Sequence, residues 1–192
     1  VSDTVSAADA KIVNDATTGT VNISASTTLN GTTADVLSIV NDATVTTATN
    51  YATTLSDTAS VANANIILGD TTGIVTAVVA SDSAENLNTN LTNAITGNDA
   101  LTLTVSGTSA VASDLIGLDG KTSVDIDVSS LNNISGTLSE LNNLYNLTSG
   151  FTGLGNENIT ISDTTISSTD LNDIIGETSG SINIGTATIN VV

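Results

Sequence analysis

Apolar and polar residues follow two different periods along this chain, and the two periods succeed each other. Over Asn158–Ile161 apolar and polar residues alternate, which is the period of a β-strand. Hydroxyl residues and an acid at 167–170 then precede Leu171, Ile174 and Ile175, whose spacing indicates a short helix with a capped start. Alternation returns at 181–184. The pattern therefore predicts a strand, a turn, a short helix and another strand.

The same order of patterns recurs along the whole chain. Helices are predicted after seven hydroxyl residues: Ser6, Thr33, Ser60, Ser83, Ser113, Ser139 and Ser168. Strands are predicted at 21–23, 74–79, 101–105, 124–128, 159–161, 182–184 and from 186 onward.

A four-residue motif, called the tetrad below, recurs once in each strand–turn–helix unit. It consists of one apolar residue, then Ser or Asn, then Asp or Gly, then Thr or Ser. The tetrads begin at Val1, Leu29, Leu55, Ala80, Val105, Ile134 and Ile161, with steps of 28, 26, 25, 25, 29 and 27 residues. A period in this range is typical of solenoids. We therefore expect a repeat solenoid of about seven coils of 25–29 residues, each a β-strand, a turn and a short helix, with parallel β-sheet stacking.

No shift in composition divides the chain, so a single solenoid domain over 1–192 is expected. Its coils start near 1, 29, 55, 80, 105, 134 and 161, and we expect it to be a segment of a longer repeat chain.

The residue types that are missing exclude several classes of chemistry. There is no His, Cys, Met, Trp or Pro, and Tyr51, Tyr145 and Phe151 are the only aromatic residues. Without His and Cys the chain has no Ser-His-Asp triad, thiol nucleophile or zinc site of the usual kind. We therefore expect no enzymatic activity.

The net charge of the chain limits the kinds of partner that it is expected to bind. The formal net charge is −18, with only Lys11 and Lys121 basic. Nucleic acid is not an expected partner, because its binding needs a basic face. No apolar run is long enough to predict membrane insertion. A hydroxyl-rich surface with an acidic excess instead favours an extracellular or cell-surface location.

Several stretches resemble a known group of proteins. They are 141–157, 159–164, 170–174, the stretch Thr17-Thr-Gly-Thr-Val-Asn-Ile23 and the stretch Asp114-Leu-Ile-Gly-Leu-Asp-Gly-Lys-Thr122. Together they resemble the degenerate repeats of very long secreted or cell-surface, adhesin-like proteins of marine bacteria, cyanobacteria in particular. The resemblance implies an extracellular, repetitive role and no catalytic residues.

The turn column is the first candidate site. Asp stands third in the tetrads at Asp3, Asp57, Asp82 and Asp163, and Gly stands there in the other three. Asp57 and Asp82 lie in successive coils, so their carboxylates could hold calcium between turns. The alternative is a local Asx-turn, which both Asp and Gly suit. No other cofactor is expected.

Two further groups of acids have structural interpretations. Acids near the helix starts are expected to complement the helix dipole and to bond free amides. Asp125 and Asp127 lie near Asp119 and Lys121, as in a carbohydrate-active site, but they alternate with apolar residues and are expected on the solvent face of a strand.

The two ends carry no polar cap. We expect an interface there at Val1, Ile189, Val191 and Val192, used for self-association or for contact with further repeats. The predicted function is that of an extracellular structural repeat protein, a surface fibre, sheath, stalk or adhesin spacer. A calcium- or carbohydrate-binding adhesion module is the alternative.

Overall fold

The computed structural model describes residues 3–95, 97–147 and 150–191. Over these residues the chain is an α/β fold with parallel strands in several small sheets and no closed barrel. The helices are α1 (Ala7–Asp15), α2 (Thr33–Val40), α3 (Val61–Asp70), α4 (Ala84–Asn90), α5 (Ala112–Asp119), α6 (Leu138–Asn146) and α7 (Ser168–Ile175). The strands are β1 (Thr4–Ser6), β2 (Val21–Asn22), β3 (Thr28–Asn30), β4 (Val45–Thr46), β5 (Thr53–Ala59), β6 (Val75–Val79), β7 (Ala100–Thr102), β8 (Ser109–Val111), β9 (Ile126–Asp127), β10 (Asn133–Gly136), β11 (Phe151–Thr152), β12 (Asn158–Ile161), β13 (Thr165–Ser167), β14 (Ile182–Asn183) and β15 (Thr188–Asn190).

All seven predicted helices are confirmed, and hydroxyl side chains define most of their starts. In six helices the hydroxyl of the residue before the helix accepts a hydrogen bond from the amide three residues on; these residues are Ser6, Thr32, Ser60, Ser83, Thr137 and Ser167. At α6 the Glu140 carboxylate also accepts from the Thr137 amide, which completes a capping box. The Glu140 carboxylate therefore bonds a free amide as predicted. None of the described helices has the length and apolar character needed to cross a membrane.

Parallel pairing with a nearly constant offset organises the strands. Thr4 pairs with Thr28, Val21 with Val45, and Asn133 with Asn158. Every described parallel pair or isolated bridge joins residues 20 to 25 apart in the sequence. The strand offset is therefore close to, and slightly shorter than, one repeat, meaning the 25–29 residues between successive tetrads.

Most repeats contain two short strands, whereas the sequence pattern predicted one strand before the turn. The unpredicted strands β1, β8 and β13 end at the residue before a helix, and β3 and β10 end within three residues of one. Their inward positions are single aliphatic residues such as Leu29, Ile134 and Ile166, flanked by Thr, Ser, Asn or Gly. A strand of three or four residues shows too little alternation to be recognised, which is why the tetrads appeared to be turns alone.

The contacts divide the chain into two compact units. One unit comprises Val1–Ala80, Asn90–Thr102 and Lys121–Val124; the other comprises Ser81–Thr89, Leu103–Gly120 and Asp125–Val192. Each unit contains helices and parallel strands of the same kind. The expectation of a single domain over 1–192 stays a prediction.

Aliphatic side chains on successive strands form the core of each unit. Ile134 pairs with Ile159, and both are fully buried. The helices add buried residues such as Ile67 and Leu144. Like side chains on paired strands leave little irregular space, so the core needs few aromatic residues; Tyr51 is the one large aromatic side chain that is fully buried in the described chain.

Shortening an aliphatic side chain should lower the free energy of unfolding substantially only on the buried face of a helix. Ile67 is 0% exposed and its neighbour Ile66 is 47% exposed on the same helix, α3. Ile67→Ala should lower the free energy of unfolding by about 2–5 kcal/mol, because it leaves a cavity. Ile66→Ala, with the same change in helix propensity, should change it by less than about 1 kcal/mol. Urea denaturation of the two variants measures the difference, and equal losses would contradict the assigned helix face.

Candidate functional site

In four of the seven tetrads the third position contacts the first residue of the preceding helix. Two of the four are Asp, whose carboxylate accepts a hydrogen bond from that residue's amide: Thr33 to Asp57 at 2.6 Å and Leu138 to Asp163 at 2.6 Å. In the other two the position is Gly and the backbone packs closely. A Cβ on Gly31 would lie 3.1 Å from that of Ala7, and one on Gly136 would lie 3.0 Å from that of Ala112. The tetrad is therefore a contact between successive repeats.

Asp57 and Asp163 serve as N-terminal caps supplied by the next repeat. Asp57 accepts both the amide and the hydroxyl of Thr33. These hydrogen bonds to the amide and then the hydroxyl hold the pKa of Asp57 below its ordinary value. Helix amides are the favoured partners of a carboxylate at this end of a helix, because they are unpaired and carry partial positive charge.

Asp82, the other proposed calcium ligand, has its partners beside the start of its own helix, α4. Its carboxylate accepts from the Ser83 amide at 2.8 Å and from the Asn86 side chain at 3.1 Å. Asp57 and Asp82 belong to different units. Within the described ranges, no group of three or more His, Cys, Asp or Glu residues is arranged to hold a metal ion. Calcium at Asp57 and Asp82 stays a prediction.

A threonine turn makes a second contact between successive repeats. The Thr71 hydroxyl donates to the Tyr51 carbonyl at 2.5 Å and accepts the Gly73 amide at 2.9 Å. Thr178 does the same with the carbonyl of Glu157 and the amide of Gly180, at 2.6 and 3.0 Å. A Cβ on Gly73 would collide with the same Tyr51 carbonyl. The hydroxyl bonds and the missing glycine side chain together allow the turn to pack closely on the preceding repeat.

Other hydroxyl side chains make bonds over a similar distance along the chain. Each donates to a backbone carbonyl 23 to 25 residues earlier: Thr27 to Asp3, Thr53 to Leu29, Thr72 to Thr49, Ser123 to Asp99, and Ser130 to Val105. The carbonyls of Asp3, Thr49 and Asp99 also accept a backbone amide, so these hydroxyls add to the backbone hydrogen bonding.

Two buried carboxylates were missed by sequence reasoning. Asp99 is fully buried and accepts the amides of Val75 and Ile95 at 2.9 and 2.7 Å. Glu157 is 1% exposed and accepts the Asn156 amide at 3.0 Å as well as the Tyr145 hydroxyl. Their hydrogen bonds offset the loss of hydration that a buried charge suffers. Both follow a glycine by two residues, which is the one local signal that could have drawn attention to them.

Tyr51 extends the same kind of network. It is 1% exposed, and its hydroxyl donates to the Asp70 carboxylate at 2.7 Å. Burial, and then the hydrogen bond and charge of Asp70, raise the pKa of Tyr51 far above its ordinary value. The phenol therefore stays protonated and serves as a hydrogen-bond donor.

The acids near Lys121 lie as the strand pattern predicted. Asp125 is exposed and Asp127 is half-buried, whereas Ile126 between them is fully buried. Asp127 accepts the amide and hydroxyl of Ser129, which lower its pKa. Partial burial raises the pKa of Asp119. The Lys121 ammonium donates to a backbone carbonyl, that of Leu91, at 3.0 Å.

A shallow hollow lies between α6 and α7. It has a volume of about 260 Å³ and is lined by Asn142, Tyr145, Asn146, Asp173 and Glu177. Small-molecule sites are predominantly apolar with a few polar groups, and this hollow has the opposite composition. It gives the carbohydrate alternative no specific support.

The predicted interface residues at the ends are partly described. Ile189 is 42% exposed and Val191 is 87% exposed. Val1 and Val192 lie outside the described residues. Within the described ranges β1 pairs only with β3, and β15 pairs only with β13.

Comparisons with protein-family models, with curated proteins and with solved structures each found no match to this chain.

Removing the cap that one repeat supplies to another should destabilise the fold modestly. Asp163→Ala leaves the Leu138 amide without its carboxylate acceptor. We expect a loss of about 1 kcal/mol in the free energy of unfolding, as for other N-terminal caps. Asp125→Ala, which removes an exposed carboxylate from the same unit, should change it by less than about 0.5 kcal/mol. Thermal or urea denaturation compares them, and equal effects would exclude capping by Asp163.

The cap formed by Asp57 should make stability depend on pH. Its folded pKa lies below the unfolded value of about 3.9, so its contribution is complete above about pH 5 and is lost as the pH falls through the folded pKa. The urea midpoint of Asp57→Asn should therefore lie below that of the wild type at pH 7, and the two should converge once the pH falls below the folded pKa of Asp57. Asp3→Asn is the control, since the described chain gives the Asp3 carboxylate no hydrogen bond; a difference that persists at low pH would contradict a charge-dependent cap.

Proposed function

We propose that the chain is an extracellular structural repeat protein, a segment of a surface fibre, sheath, stalk or adhesin spacer. Its coils stack as a solenoid, and it acts through rigid stacking and self-association. The observation that carries the proposal is the parallel pairing of residues 20 to 25 apart wherever strands pair in the described chain. Such pairing builds a protein from nearest-neighbour contacts, which suits an extended scaffold.

The side-chain contacts support the same function. The Asp57 and Asp163 caps and the Thr71 and Thr178 hydroxyl bonds each join one repeat to the one before it. A contact set that repeats in this way can be extended by further coils without a new kind of interface. Its side chains are hydrogen-bonded to backbone groups, which favours a structural role over a ligand site.

The surface chemistry supports an extracellular location. Only 11% of the residues are charged, and the two lysines and the absence of arginine leave few sites for proteases that cleave after basic residues. A hydroxyl- and amide-rich surface with a net charge of −18 also keeps the chain hydrated. These features suit a long-lived scaffold outside the cell.

Deletion of one whole repeat tests the stacked arrangement. Removing residues 134–158 joins Asn133 to Ile159, and Asn133 then takes the place of its strand partner Asn158. A solenoid should close the gap, because the new neighbours carry equivalent contacts. We expect a cooperative urea transition with about 1–2 kcal/mol less free energy of unfolding.

The control removes only part of a repeat. Deleting residues 134–146 takes away most of β10 and all of α6, and it leaves the following strands out of register. This variant should lose cooperative unfolding. If the whole-repeat deletion also loses its cooperative urea transition, the solenoid proposal is wrong.

A further inference from the structure

We infer that Asn22 is a site of N-linked glycosylation. The assignment rests on the proposed extracellular function, because N-linked sugars are carried by secreted chains. The acceptor motif of this modification is Asn-x-Ser/Thr, and the chain contains six copies of it, which begin at Asn22, Asn30, Asn90, Asn133, Asn146 and Asn158. A chain this rich in Ser and Thr forms the motif often by chance, so local structure has to select among the copies.

The motif Asn22-Ile23-Ser24 lies where β2 ends and the chain turns. The Asn22 Oδ1 accepts the Ser24 amide at 2.9 Å and the Ser24 hydroxyl at 2.7 Å. These two bonds form an Asx-turn, which folds the hydroxyl of the motif back onto its acceptor amide. Asn22 and Ser24 are both exposed. The two side chains that the motif specifies therefore lie together on the surface in a segment that is already bent.

The nucleophile of the modification, the Asn22 Nδ2, is available. The described chain gives Nδ2 no hydrogen bond, because both bonds of this side chain are accepted at Oδ1. Ile23 is buried and attaches the turn to the core. The strand partner of Asn22 is Thr46, which is small and exposed, so no large side chain stands beside Nδ2 on the paired strand.

An equivalent turn elsewhere forms without an amide nitrogen. Asp127 accepts the Ser129 amide at 3.0 Å and the Ser129 hydroxyl at 2.6 Å, which are the same two bonds at the same spacing. A carboxylate has a second oxygen where the amide of Asn22 has Nδ2. The turn therefore does not depend on Nδ2, and a sugar joined to Nδ2 leaves both bonds to Oδ1 in place.

Two exposed copies of the motif lie in extended strands. Asn133 in β10 and Asn158 in β12 are direct strand partners, so sugars on both would compete for the same space. Each of these strands is paired on both sides, which prevents it from bending into the active site of a transferase. The Asn158 Oδ1 also accepts the amide and hydroxyl of Ser181 rather than a group of its own motif.

The copy at Asn30 has both of its side chains in structural bonds. The Asn30 Oδ1 accepts the Thr54 amide at 2.8 Å. Thr32, which supplies the hydroxyl of this motif, is the N-cap of α2, and its oxygen accepts the Asp35 amide. Modification there would have to disturb a helix start.

The last two copies follow helices. In the motif that begins at Asn90, the Thr92 hydroxyl accepts the Asn65 side chain at 3.2 Å, so it is bonded to another part of the chain. The motif that begins at Asn146 ends at Thr148, which lies outside the described residues. Among the motifs whose three residues are described, the one at Asn22 has its hydroxyl bonded to its own Asn side chain.

The reaction transfers a sugar from a lipid diphosphate to Asn22. A bond forms between Nδ2 and C1 of the sugar, and the bond between C1 and the phosphate oxygen breaks. Nδ2 gives up one proton, and the lipid diphosphate leaves with the electron pair of the broken bond. No oxidant or reductant is required.

Glycan transfer to the folded chain tests the site. The purified chain is incubated with a single-subunit oligosaccharyltransferase and a lipid-linked oligosaccharide, digested at its acidic residues and mapped by mass spectrometry. We expect a glycan on Asn22 and none on Asn133 or Asn158. Free peptides covering 18–28, 129–139 and 154–164 are the positive controls, and all three should be modified, because outside the fold their motifs are equally accessible.

Variants at the motif separate the acceptor from the turn. Asn22→Asp keeps the oxygen that accepts both bonds, as Asp127 does, so its urea midpoint should equal that of the wild type. It should lower glycan occupancy at least about tenfold, because it removes the acceptor nitrogen. Ser24→Ala should lower occupancy similarly, and Ser24→Thr should preserve it. Asn133→Gln is the matched control, since it removes an exposed Asn of another motif and should leave occupancy at Asn22 unchanged.

The outcomes distinguish this site from the function on which it rests. A folded chain that stays unmodified at Asn22 while the free peptides are modified would overturn the inference. Equal modification of Asn133 or Asn158 in the folded chain would overturn it too, since the turn would then select nothing. Neither result bears on the parallel stacking of repeats, which the whole-repeat deletion tests without any glycan.

Discussion

Hydrogen bonding between each repeat and the one before it is the interaction on which this fold depends. Its strands are two to seven residues long, so backbone pairing alone covers only part of each repeat. The remaining carbonyls and helix amides are satisfied by side chains such as Thr71 and Thr178 at the turns and Asp57 and Asp163 at the helix starts. Both kinds of bond join residues about one repeat apart, so they reinforce the same register.

This constraint explains the unusual composition. Hydroxyl and amide side chains are abundant because they complete the bonding between repeats, and aliphatic residues suffice inside because like side chains pack on like, as Ile134 does on Ile159. The buried acids are also hydrogen-bonded to the backbone: the Asp99 carboxylate accepts two backbone amides. A fold that is stabilised in this way needs neither disulfides nor large aromatic residues.

The same bonds limit what the acidic residues can do chemically. Asp57 and Asp82 are each engaged by amides within their own units, and Glu157 is bonded by Tyr145 and by backbone amides. Carboxylates with these partners stabilise the scaffold. Among the described residues, Ile189 and Val13 are apolar side chains that are exposed. This distribution supports the proposed structural function.

The sequence by itself determined all seven helices, because capping hydroxyls such as Ser60 and spacings such as that of Leu141 and Leu144 are local signals. It did not reveal the second strand of most repeats, the burial of Asp99 and Glu157, or the cap that Asp57 supplies to α2. The strand pairs and the Asp57 cap join residues 20 or more positions apart, and the Tyr145 partner of Glu157 lies 12 positions away, so no local pattern marks these partners. Only tertiary structure decides them, because the register of one repeat against the next determines which amide meets which carboxylate.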